Sequence, residues 1–76
     1  MDLNSFVEAF AAEFEETDES IFSPETEYKT LEEWGSLTAL SIISMVDAEM
    51  DKTITGADLR GCTTIEELYN LIQSKE

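Results

Sequence analysis

The chain has 76 residues, eighteen of them acidic against four basic, no histidine and one cysteine. That length makes one domain with a thin core, folding burying about 60% of the surface the unfolded chain exposes, which disfavours a rigid, deeply enclosed active site. A charge of −14 repels nucleic acid and anionic lipid, and the missing histidines together with the single cysteine exclude a Cys-His pair, a His-based acid/base site and a structural zinc cluster.

Leu3, Phe6, Val7, Phe10 and Phe14 fall at helical spacing and predict a first helix with one apolar stripe. It gives way at Glu15-Glu16-Thr17-Asp18-Glu19, where like charges and poor helix formers predict a solvated loop. The connection onward to Gly35 is long, and Ile21, Phe22, Tyr28, Leu31 and Trp34 are spaced as anchors that fold it onto the core. Within it, Ser23-Pro24-Glu25 and Thr30-Leu31-Glu32-Glu33 each read as the opening of a short helical turn.

The second helix is predicted over 37–50, with Ala39, Ile42, Ile43, Val46 and Met50 on its inner face. The opposite face carries Leu37, Leu40, Ser41, Ser44, Asp47 and Ala48. Two outward leucines exceed what solvation requires and mark a place where partners dock; packing under the long loop is the alternative for either. Thr53-Ile54-Thr55 is too short for a sheet and reads as an extended connector. Gly56-Ala57-Asp58-Leu59-Arg60 forms one or two turns stopped by Gly61, and Thr63 and Thr64 offer a capping box with Glu66 or Glu67. The last helix then runs through Ile65, Leu68, Leu71 or Tyr69, and Ile72. The expected architecture is all-α, a single domain over residues 1–76: a bundle of three main helices and one short helix, with a long loop between the first two.

Three further features read as structural. Cys62 lacks a disulfide partner and is taken as a small buried apolar side chain. Asp47, Glu49 and Asp51 imitate a calcium loop, but Lys52 stands where that loop needs glycine, so no metal site is expected. Trp34 is taken as a loop anchor. The start Met1-Asp2-Leu3-Asn4 lacks the regions of a signal peptide and no apolar run approaches membrane-spanning length, so a cytoplasmic protein is expected.

Ser36 stands in Glu33-Trp34-Gly35-Ser36-Leu37, where the loop meets the second helix. A hydroxyl there is exposed beside the free N–H groups of the first turn, a setting that favours an attached phosphate; an N-cap role, accepting from Thr38 or Ala39, is the plain alternative. With Ile54-Thr55-Gly56-Ala57-Asp58-Leu59 and Thr63-Thr64-Ile65-Glu66-Glu67-Leu68 following in order, nearly the whole chain resembles the acyl carrier protein family.

That resemblance implies a carrier, not an enzyme. Ser36 would receive 4'-phosphopantetheine from coenzyme A through a separate phosphopantetheinyl transferase. The arm's thiol would then carry acyl groups as thioesters to acyl-loading and acyl-processing enzymes with basic or apolar docking patches, in fatty acid, polyketide or related biosynthesis. Gly35, Leu37, Leu40, Ser41, Ser44 and Asp47 would form the docking surface of a monomeric chain.

Two departures mark a specialised member. The family's usual Asp-Ser-Leu is here Gly35-Ser36-Leu37, leaving Glu32 and Glu33 to attract a basic transferase. The second helix's outer face carries Thr38, Ser41, Ser44 and Ala48 where the family is often acidic, which shifts docking toward the leucines. An unmodified interaction module with the same fold, binding a basic protein through its acidic surface, is the competing expectation.

Overall fold

A computed structural model describes residues 1–75 as four α-helices in the order α1 (Leu3–Ala12), α2 (Ser36–Met50), α3 (Gly56–Gly61) and α4 (Ile65–Ser74), with no strand among the described residues. Three long helices and one short one match the apolar periodicity. Phe6, Phe10, Ile42, Val46, Ile65, Leu68 and Ile72 are the fully buried side chains of α1, α2 and α4. Ile54 and Leu59 fill the remaining side from the connector and α3.

Each helix begins where a side chain or backbone can end the preceding turn. Asp2 accepts from the Ser5 N–H at 2.8 Å and starts α1. Thr55 and Asp58 make a reciprocal capping box on α3. At α4 the box is split: Thr64 accepts from the Glu67 N–H, whereas the Glu67 carboxylate reaches back to the N–H of Thr63. Both threonines flagged by the sequence are therefore used. α2 ends at Asp51, whose backbone lies in the left-handed region at φ 54°.

The long loop, residues 13–35, is a packed part of the molecule. Its aromatic side chains join the α1 phenylalanines: Trp34 stacks on Phe10 at 6.5 Å and meets Tyr28 edge-on at 5.0 Å, and Phe22 lies 4.9 Å from Phe14. Tyr28 is fully buried and donates its hydroxyl to the Leu59 carbonyl at 2.6 Å, which pins the loop to α3. The loop carbonyls of Thr26 and Pro24 accept from the N–H groups of Ile65 and Glu66, capping α4 from outside.

The sequence reading differs from the structure in four details. Ile21 is 52% exposed and does not anchor the loop, because it ends a 3-10 turn whose neighbour Phe22 takes the inward position. The loop's 3-10 turns sit at Glu19–Ile21 and Tyr28–Thr30, while Pro24 and Glu25, and Glu32 and Glu33, lie in simple turns. Met45 is buried on α2 beside the predicted inner face. Phe14 is buried beyond the end of α1, held by a final turn in which its N–H donates to the Ala11 carbonyl.

Candidate functional site

Gly35 supplies the N-cap of α2 and Ser36 its first helical residue. The glycine backbone is extended, a conformation open to any residue, and a Cβ placed there would meet nothing within 4 Å. Neither conformation nor space therefore demands glycine. Because the cap has no side chain, the N–H groups of the first turn of α2 receive no side-chain acceptor, and the helix opens with its positive end uncovered and no acidic residue in that turn.

The other polar groups at this junction are already engaged. Thr38 donates its hydroxyl to the Glu33 carbonyl at 2.9 Å. The Glu33 carboxylate turns away from Ser36 and accepts from the N–H groups of Glu15, Glu16 and Thr17 and from the Thr17 hydroxyl at 2.7 Å. These bonds, led by the Thr17 hydroxyl, hold its carboxyl below the usual glutamate range. Glu33 closes the two ends of the long loop, so it is not the free carboxylate that the sequence offered as a substitute for the missing aspartate; Glu32 is exposed.

Ser36 is exposed and its hydroxyl forms no hydrogen bond with a described residue. The capping alternative fails because the cap position belongs to Gly35, one residue earlier. The Ser36 hydroxyl is therefore an exposed alcohol beside first-turn N–H groups that have no side-chain acceptor.

The docking residues read from the sequence all lie on or beside α2, but they do not share one surface. Leu37 is 81% exposed and Leu40 59%, so neither packs beneath the loop. With Ser41 and Ser44 they line an open groove of about 760 Å³ whose other wall is Ala9 and Ala12 of α1 and Glu13, which caps its C-terminus. Gly35 and Asp47 are exposed but lie outside that lining. A smaller hollow of about 330 Å³ continues past Leu37 toward Glu15 and Glu33. The α1 wall was not identified from the sequence; its signal was the small side chains of Ala9 and Ala12 flanking the phenylalanine stripe.

Cys62 is buried, and burial, followed by the charges of Glu67 and Asp58, pushes its thiol upward from the usual cysteine range. It is a packing residue. No described helix is long and apolar enough to cross a membrane. A scan of protein-family models finds none that matches, and comparison with curated proteins and with solved structures likewise finds no significant match.

Proposed function

We propose that this chain is an acyl carrier protein that bears 4'-phosphopantetheine on Ser36 and works in the cytoplasm as a partner of separate biosynthetic enzymes. The observation that carries the reading is the Ser36 hydroxyl: exposed, unbonded and at the first position of a helix whose end is uncapped. The sequence resemblance supplies the chemistry and the geometry supplies the access. When attached, the arm contributes a thiol that holds acyl groups as thioesters.

In the transfer, the Ser36 oxygen attacks the pantetheine-bearing phosphorus of coenzyme A, and the bond to the departing adenosine bisphosphate breaks. The serine proton passes to a base on the transferase. Ser36 is a substrate in this step, and the chain contributes presentation and an N-terminal helix field that favours the phosphodiester product. Leu37, next in sequence and almost fully exposed, offers an apolar contact to an enzyme approaching the serine.

Intact mass after incubation with coenzyme A and a broad-specificity phosphopantetheinyl transferase tests the reading. One added phosphopantetheine in the wild type and none in Ser36→Ala is the expected result. Absence of the adduct with several transferases overturns it. The second reading, an unmodified module that binds a basic protein, is favoured by one observation: the nearest acid, Glu33, is occupied in the loop, and Gly35 provides no carboxylate in its place.

A further inference from the structure

We propose that Glu33 is a positioning residue for Ser36: it ties the start of the long loop to the head of α2 and so holds the serine in the orientation that an incoming transferase needs. Its part in modification rests on the carrier reading; the tie itself does not. The head of α2 has little restraint of its own. Gly35 has the greatest backbone freedom of any residue type and supplies no side-chain cap, and Ser36 forms no hydrogen bond with a described residue. Glu33 brackets both, because its carbonyl accepts from the Thr38 hydroxyl at 2.9 Å and so spans the glycine and the serine.

Glu33 can anchor the head because it is itself held from the far side. Its carboxylate oxygens divide the donors of the loop start: Oε2 accepts from the Glu15 N–H at 2.8 Å, and Oε1 from the N–H groups of Glu16 and Thr17 and from the Thr17 hydroxyl. Bonds to a charged acceptor are stronger than those between neutral partners, and the Thr17 and Thr38 contacts are partly sheltered from water. Trp34 fixes the next residue, its ring stacked on Phe10 and Phe14 and its backbone N–H donating to the Leu31 carbonyl at 3.0 Å. The chain is therefore held at 33 and 34, free at 35 and held again at Thr38. Thr17 forms no hydrogen bond with α2, so its influence on Ser36 passes through Glu33. Glu32 is exposed and takes no part in these bonds.

Thr17→Val removes the hydroxyl and keeps both the shape and the backbone bond, whereas Thr17→Ser keeps the hydroxyl. Amide hydrogen exchange of the unmodified chains reads the head of α2 through the Ala39 N–H, which donates to the Gly35 carbonyl at 2.9 Å. Expected in Thr17→Val is about fivefold faster exchange at Ala39, the size of one net hydrogen bond, with Ile42 and Val46 unchanged and Thr17→Ser like the wild type. Thr38→Val cuts the tie on its other side and gives the same pattern. Transfer from coenzyme A is then followed by intact mass, well below the melting midpoint of each variant. Thr17→Val lowers kcat about fivefold and leaves KM for the chain unchanged, because the surface the transferase meets is intact while the serine is less often in line. Gly35→Asp, which gives the head a cap of its own, shrinks both effects. Unchanged Ala39 exchange in both valine variants overturns the proposal. So does a loosened head with undiminished kcat, a loss confined to KM, or a Thr17→Ser chain as impaired as Thr17→Val. A wild-type chain that no transferase modifies overturns the carrier reading instead, and the exchange measurements then decide the tie by themselves.

Discussion

Two adjacent carboxylates and two nearby hydroxyls at the α2 entrance show how similar side chains acquire different roles. Glu33 is a structural group, since its carboxylate receives three backbone N–H groups and the Thr17 hydroxyl. Glu33→Gln keeps the size but loses the charge and presents an NH2 group to those donors. The loop is expected to open: limited proteolysis within residues 15–33 becomes faster and the urea midpoint falls, while the helical spectrum persists. Unchanged cleavage would show that the aromatic anchors alone close the loop. Gly35→Asp tests the opposite case, a position with room for a side chain. Aspartate there supplies the missing N-cap, adding a few tenths of a kcal/mol, up to about 1 kcal/mol with the helix dipole. Under the carrier reading it also speeds modification of Ser36, read by intact mass over time, because it restores the carboxylate beside the serine.

At the scale of elements, α2 has its charges placed against its dipole. No acid lies in its first turn and no base in its last, where Asp47, Glu49 and Asp51 cluster. The left-handed backbone of Asp51 adds a second unfavourable feature. An L-residue pays about 1–2 kcal/mol there, aspartate less than most, against roughly 0.5–1 kcal/mol for the greater unfolded-state freedom of glycine. Asp51→Gly is therefore expected to stabilise by about 0.5–1 kcal/mol once the lost acid at the helix end is included, or roughly 4–8 °C per kcal/mol in a domain of this size. Thermal unfolding checks it, and a lower midpoint would mean that the Asp51 side chain contributes more than its backbone costs. The helices themselves were legible because their apolar residues repeat every three or four positions. The turns of the long loop were not: Ile21 and Phe22 are adjacent apolar residues, and only the aromatic cluster around Phe10 decides which one turns inward.

For the whole molecule, electrostatics sets two opposing trends. At neutral pH the −14 charge repels itself, and the total stability expected for 76 residues is only about 4–11 kcal/mol. Added salt should raise the melting temperature at pH 7, and the response should fade as the pH approaches the isoelectric point near 4.1. Against this, Asp2, Asp18, Glu33 and Asp58 all have carboxyls held below their usual range, chiefly by hydrogen bonds from nearby backbone N–H groups or, for Glu33, from the Thr17 hydroxyl. A folded-state value below the unfolded one contributes stability above about pH 4, and that contribution is lost as pH falls through the depressed values. Melting measured from pH 7 downward should therefore hold or rise toward pH 5 and drop below pH 4. A fall that began near pH 6 would contradict this account.

The sequence by itself determined the helices, most of the core and the residue at the head of α2, because hydrophobic period and capping chemistry are local properties of the chain. Only the tertiary structure decided which polar groups at that head remain free. Glu33 and Ser36 look equally available in sequence, yet one is consumed by backbone donors sixteen to eighteen residues away and the other is left open. The groove likewise exists only once α1 and α2 lie side by side, since a small side chain is an absence of bulk until a second wall faces it.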